Sequence, residues 1–419
     1  MMFLLFLLLA IFAYLTWRNL ETGILVLCAL LPSYLIRFTI GNIPTTFLEM
    51  MTLIVILVWI TQKKWKLDIG SWKKNPLIIP ITLLLIAATI GIFLSPDKHA
   101  AIGVWKAFYI EPILLFFVLR DVFTRSFTSF RMTREKIFQT FGVSALLISL
   151  FGLVQYFFSI GIPAPWDLEH RITSIFDYPN ALALFLEPII VISWFEIVRI
   201  TKETTRNQKK PKEFWFWIAV SILSMTNVFL AQSEAGLAAL IVTAVCILLF
   251  SRTTRRQTLA SILIAGALVF TIPTSRTYLI QKFTFSDSSE HVRLSQWKET
   301  ITLLKDHPIF GAGLSGYPIV MKPYHHDLQY EIFQYPHNIL LNIWVELGLL
   351  GLIAFALLGF QILFRPFRPF SLFTFLFLEI LLHSLVDVPY FKNDLAMMTW
   401  ILIACALAAQ THTLKKSCS

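Results

Sequence analysis

The chain has 419 residues, of which 57% are hydrophobic and only 14% charged. Soluble domains carry about 25% charged residues, so an ordinary globular protein is excluded. The net charge of +10 comes without a groove-reading module or interleaved aromatics, which argues against nucleic acid and for the Lys/Arg asymmetry of membrane loops.

Many apolar runs reach the roughly 20 residues that cross a bilayer core. They lack the period-two alternation of barrel strands, so helices are the expected way to satisfy the backbone in lipid. In chain order the predicted spans are Met2–Trp17, Thr22–Ile36, Thr45–Ile60, Pro76–Ser95, Trp105–Arg120, Ile137–Ile160, Pro179–Arg199, Phe214–Gln232, Ala235–Phe250, Thr258–Pro273, Asn338–Phe364, Phe370–Asp387 and Asp394–Gln410. The first three are short, so two helices and a re-entrant piece are an alternative; the total is about 12–13. Met1 to Ala10 has no basic n-region and is read as part of the first span. Cys28, Cys246 and Cys405 lie in apolar runs and Cys418 in the tail, which is no disulfide framework.

Basic clusters punctuate the runs: Lys63, Lys64, Lys66, Lys73 and Lys74; Arg125, Arg131, Arg134 and Lys136; Arg199 through Lys212; Arg252, Arg255 and Arg256; Arg365 and Arg368; Lys415 and Lys416. The positive-inside rule assigns all of them to the cytoplasm. The chain then divides into a transmembrane part over 1–273, an extracytoplasmic cap over 274–337, a second transmembrane part over 338–410 and a cytoplasmic tail over 411–419. The cap is rich in aromatics, among them Phe283, Phe285, Trp297, Tyr317 and Tyr330. It is read as folded, with an amphipathic helix over Val292–Asp306 whose apolar face is Leu294, Trp297, Ile301 and Leu304.

The candidate chemistry collects on the outer side. All histidines but His412 are assigned there, and histidine is the usual general base near neutral pH; the alternative is that polar residues gather in the largest polar loop. Arg171 stands before the helix that starts near Pro179, where an arginine and free helix N–H groups build an anion site. Its alternative is an interfacial arginine snorkelling to headgroups. Arg293 and Trp297 lie one turn apart on the cap helix. Asn338 is placed to cap the span that carries Glu346, an ionisable group inside an apolar run.

These residues fall in a recognisable order. Pro336-His337-Asn338 followed by Trp344, Glu346, Gly348 and Gly351 resembles the O-antigen ligase family, also called the Wzy C-terminal superfamily. So do Arg293 with Trp297 ahead of His307-Pro308-Ile309-Phe310-Gly311-Ala312-Gly313, Arg171 with Asn180, and His383-Ser384-Leu385-Val386-Asp387. The match runs from about Arg171 to Asp394. One departure is Gln232-Ser233-Glu234-Ala235-Gly236, which has Glu234 where the family usually has arginine.

The resemblance implies an all-α, polytopic transmembrane bundle of the GT-C type with a partly helical extracytoplasmic cap. It implies an inverting glycosyltransferase, with no metal and no cofactor, in the bacterial inner membrane with its site facing outwards. The donor would be a saccharide on undecaprenyl diphosphate or a similar carrier, and the acceptor a glycan, glycolipid or protein, as in lipopolysaccharide assembly. His337, Arg293 and Arg171 are the expected catalytic residues. Asn180, Trp297, Asn338, Glu346, His383 and Asp387 are expected to bind diphosphate or acceptor. A polysaccharide polymerase and a protein O-glycosyltransferase are alternatives within the same chemistry. A metal-dependent transferase using Asp167 and Glu169 is another mechanism, and a membrane transporter with buried Glu187 or Glu346 another class.

Overall fold

A computed structural model of the chain describes residues 2–41, 43–63, 75–124, 127–204, 209–251, 253–271, 288–327, 330–364 and 371–417. Expectations for Lys64, Lys66, Lys73, Lys74, Arg125, Arg206, Arg252, Phe283, Phe285, Arg365, Arg368 and Cys418 lie outside the described residues.

The elements begin with α1 (Met2–Arg18) and α2 (Leu20–Ala29), the latter capped by the Asn19 side chain. Here the second predicted span departs from expectation. It ends in a 3-10 turn (Leu31–Leu35), and the chain then forms a hairpin of β1 (Arg37–Ile40) and β2 (Ile43–Thr46). The next helix is α3 (Phe47–Gln62), whose cap Thr46 accepts from the Glu49 N–H at 3.1 Å. It is followed by α4 (Ile78–Leu94) and α5 (Lys98–Val104), and α5 runs through a π-helical turn (Trp105–Ile110) into α6 (Glu111–Thr124). A π turn leaves backbone carbonyls in altered geometry, and the Phe108 carbonyl accepts the Tyr390 hydroxyl.

After these come α7 (Phe127–Phe158), α8 (Pro179–Glu203), α9 (Lys212–Leu230), α10 (Glu234–Phe250) and α11 (Arg255–Thr271). The chain continues through α12 (Ser288–Asp306), α13 (Tyr317–Val320), α14 (Ile339–Phe364), α15 (Leu372–His383) and α16 (Asn393–Ser417).

The protein is an all-α polytopic membrane protein. Helices over Lys98–Phe123, Arg134–Phe158, Pro179–Glu203, Lys212–Leu230 and Ile339–Leu363 are long and apolar enough to cross a membrane, and shorter apolar helices accompany them. The most central is α8, buried continuously from Ala181 to Ser193. At the periphery, Phe3, Leu4, Phe93, Phe157 and Leu263 are exposed, as a lipid-facing surface requires.

Two further departures bear on function. The buried face of α12 is formed by Gln296, Glu299, Thr300, Leu303 and Leu304, whereas Ile301 is exposed. Hydrophobic periodicity misses this face because three of its five residues are polar, each holding at least one hydrogen bond. The predicted span Asn338–Phe364 is broken at Gly348 (φ 66°, ψ −168°). In an unbroken helix the Leu349 N–H would donate to the Val345 carbonyl. Here Leu349 N donates to Ile309 O at 2.8 Å and Ala312 N donates to Val345 O at 2.6 Å. The loop after α12 has inserted itself between the two partners and satisfied both, which is how broken backbone survives inside an apolar bundle. Left-handed Gly311 (φ 65°) permits the approach, since a Cβ there would stand 2.2 Å from Val345 O.

Candidate active site

The N-terminal ends of α8, α10 and α14 converge with the start of α12 and the turn after α15. Together they enclose a cavity of about 730 Å³, within the usual range for ligand pockets. Arg171, Asn180, Arg293, His337 and Asp387 all line it. Trp166, Tyr178, Phe333 and Tyr335 add aromatic surface, and Gln232, Glu234 and Gln296 add polar groups.

His337 adopts a left-handed backbone conformation (φ 45°), which is uncommon without glycine and must be held by its surroundings. Two neighbouring side chains of α12 hold it. The Gln296 amide donates to the Tyr335 carbonyl at 2.9 Å, and the Trp297 indole donates to the Pro336 carbonyl at 2.8 Å. Edge contacts from Phe333 and Tyr335, with ring centroids at 5.2 and 5.0 Å, flank the imidazole.

The buried Nδ1 of His337 faces Asp387 Oδ1 at 3.5 Å, longer than a well-formed hydrogen bond. The ring is partly exposed, so Nε2 is the nitrogen on the cavity side. Asp387 itself is anchored by the Asn180 amide at 3.2 Å and the Val388 N–H at 2.8 Å. Burial pushes the Asp387 carboxyl upwards. The imidazoles of His337 and His383 and the Val388 N–H together outweigh that, and hold it below the usual carboxylate range.

Arg171 stands across the cavity wall. Its Nε donates to Ala231 O at 3.0 Å and its NH2 to Gln232 O at 3.5 Å, while NH1 lies 3.4 Å from Glu169. The guanidinium also stacks over Trp166 at 4.9 Å. These contacts use three of the five N–H donors of an arginine. Among the described residues none pairs with the Arg293 guanidinium, which is partly exposed in the cavity wall. Tyr178 and Tyr335 meet hydroxyl to hydroxyl at 3.3 Å, and burial raises the pKa of both, keeping them neutral.

Four predicted site residues lie off the cavity surface. Trp297 acts on the Pro336 carbonyl, as above. Asn338 caps α14, accepting the N–H groups of Leu340 and Leu341 at 3.1 Å each, and its amide donates to Leu385 O at 2.9 Å. Glu346 is buried beside the broken turn of α14, where it receives the Ser315 N–H. His383 is buried and bonded to Glu187 at 2.7 Å. On the loop before α8, Glu169 is engaged with Arg171.

Besides Gln296, both Lys392 and Glu379 escaped the sequence reading. Lys392 lies over the rings of Phe176, Tyr34 and Tyr178 at 4.5, 5.3 and 5.6 Å, bracing the cavity wall from behind. Glu379 is buried four residues before His383. An acid in an apolar run at helical spacing from a histidine was the available signal.

A profile of the O-antigen ligase family matches residues 219–356. That stretch holds Arg293, His337 and the loop inserted at Gly348; Arg171, Asn180 and Asp387 lie outside it. No curated protein matches the chain.

Proposed function

From the premise that residues 219–356 are an O-antigen ligase family domain, we propose that the protein is an inverting, metal-independent glycosyltransferase working on a polyprenyl-diphosphate-linked saccharide. The observation that carries this reading is the cavity shared by two arginines and the His337–Asp387 pair. Such a transfer must stabilise a departing diphosphate and accept a proton from the incoming hydroxyl, and the cavity offers groups of both kinds.

In the proposed step, the guanidinium groups of Arg171 and Arg293 bind the diphosphate, matching its oxygens with a planar fork of donors. Asp387 keeps the proton of a neutral imidazole on Nδ1, leaving the Nε2 lone pair of His337 free to accept. The acceptor oxygen attacks the anomeric carbon as its proton passes to Nε2. The bond from that carbon to the phosphate oxygen breaks, and its electron pair leaves with the diphosphate towards the arginines. Attack opposite the leaving group inverts the anomeric configuration. The aromatic rings of Trp166, Phe333 and Tyr335 supply the apolar faces against which sugar rings pack.

The orientation we propose puts the cavity outside, in keeping with the Lys and Arg clusters of the opposite loops. A cysteine at position 288 should then react with an impermeant thiol reagent, and one at position 210 should not; the reverse pattern inverts the assignment.

The decisive test is donor binding and product formation measured on the same purified His337→Ala protein. We expect the donor to bind and transfer to fall by about 10²–10⁴-fold, the usual worth of a general base. Undiminished transfer removes His337 from the base role. Deletion of the gene in its host then separates the acceptors: uncapped lipid marks a ligase, short polymer a polymerase and unglycosylated protein a protein glycosyltransferase.

A further inference from the structure

Beneath the cavity, and off its surface, lies a second cluster of chemistry-bearing side chains. Glu379 and His383 are four residues apart on α15, so they project from consecutive turns of one helix face. Glu187, from the central helix α8, reaches the same point, with Oε2 2.7 Å from His383 Nδ1. One donor atom from each of the three residues lies within 4.8 Å of the others.

All three side chains are buried, at 0%, 1% and 1% exposure for Glu187, Glu379 and His383. Two carboxylates at this distance inside a bundle repel one another unless a proton or a cation stands between them. Among the described residues no lysine or arginine pairs with either one. A second set of observations points to a ligand. Glu187 Oε1, Glu379 Oε2 and His383 Nε2 are all buried without a hydrogen-bond partner. So is the hydroxyl of Ser233, which borders the Glu187 carboxylate across Gly236. A Cβ on Gly236 would stand 1.9 Å from Glu187 Oε1, so the glycine leaves the carboxylate its place.

We propose that Glu187, Glu379 and His383 form a binding site for one divalent transition cation, of the zinc or manganese type, that ties α8 to α15 below the cavity. The donor set, two carboxylate oxygens and one imidazole nitrogen, suits such an ion. Its two positive charges match the two carboxylates with the imidazole neutral. Ligands about 2.1 Å from a common centre stand at most about 4.2 Å apart, so a set already within 4.8 Å needs only a small adjustment to close on an ion. The cation orders α8, which carries Asn180, and the end of α15 that leads into the turn of Asp387, and takes no part in the transfer itself.

The test is the metal content of the purified full-length protein, loaded separately with Zn²⁺ and Mn²⁺, desalted and analysed by mass spectrometry. We expect about one equivalent of one of these ions to stay with the wild-type chain and to raise its melting temperature. Glu379→Gln and His383→Ala, eluting as monodisperse protein, should retain less than about a tenth as much. A wild-type chain that retains neither ion overturns the proposal and leaves a carboxylate pair sharing a proton; that arm does not depend on how the variants fold. Variants that keep the full equivalent overturn it as well, since the ion then sits elsewhere.

Discussion

Trp297 donates its indole N–H to the carbonyl of Pro336, so a residue of the cap helix fixes the peptide immediately before His337. With Gln296 acting one carbonyl earlier, α12 holds the left-handed turn that presents the imidazole to the cavity. The Trp297→Phe variant keeps most of the apolar bulk and loses the donor. An unpaired buried acceptor costs about 1–3 kcal/mol, so we expect transfer to drop by roughly one to two orders of magnitude while the protein remains folded. The measurement is turnover beside the melting curve; a melting loss with unchanged turnover per folded molecule contradicts this role.

Replacing either arginine by lysine should be damaging even though charge is kept. Arg171→Lys surrenders the contacts to Ala231 and Gln232 together with the fork. Arg293→Lys keeps a charge at the cavity wall without its planar geometry. Loss of one preorganised charge donor costs on the order of 3–4 kcal/mol in the transition state, so a fall of more than about 100-fold is expected in single-turnover transfer. Near-normal turnover in either variant removes that arginine from the diphosphate role.

The cap should carry its own acid sensitivity. Glu299 accepts from the N–H groups of His326 and Asp327 at 2.7 and 3.0 Å, from the Tyr330 hydroxyl and from His325. Burial alone raises its carboxyl, but these donors outweigh it and bring the pKa down to about 2. A folded pKa below the unfolded one means that folding favours the ionised form. The stabilisation is therefore fully present above the unfolded value of about 4.3 and is lost as pH falls from there towards 2. Partly screened by solvent, it amounts to roughly 1–2 kcal/mol. Cap opening, followed by hydrogen exchange of α12, should rise across that window in the wild type. Glu299→Gln should show the raised exchange already at pH 7 and no further change from this group on acidification.

Gly348→Ala should break the seat of the cap. The new Cβ would stand 2.2 Å from Ile309 O, at a φ of 66° that side chains rarely adopt. The backbone strain alone is about 1–3 kcal/mol, before the lost contact between Leu349 and Ile309 is counted. A lower melting temperature and a lower yield of folded protein are expected. An unchanged melting curve shows that the break in α14 does not need glycine.

Much of this arrangement is legible in the sequence. The apolar runs locate the spans because a bilayer demands length and apolarity together, and neither depends on tertiary detail. Arg171, Asn180, Arg293, His337 and Asp387 were each singled out by a local motif, and they share one cavity although the chain scatters them. Direction is what the sequence conceals. Trp297 and His337 are equally prominent in it, yet one faces the backbone and the other the cavity. Glu346 reads as a site residue because it is ionisable in an apolar run, but the Ser315 N–H it receives comes from a loop far away in sequence. The hairpin at Arg37–Thr46 has strands of four residues, too short for alternation to register. The break at Gly348 is hidden because a single glycine in an apolar helix is common and only the inserted loop gives it meaning.

That inserted loop also bears on how such proteins can be recombined. Ile309 and Ala312 belong to the cap by sequence, whereas Val345 and Leu349 belong to a membrane helix, yet the four exchange backbone hydrogen bonds as one small lattice. The covalent boundary between cap and bundle is therefore not the mechanical one. A cap grafted from another protein at residues 288 and 338 would arrive without its socket; a graft that also carries residues 339–351 would bring both halves of the joint.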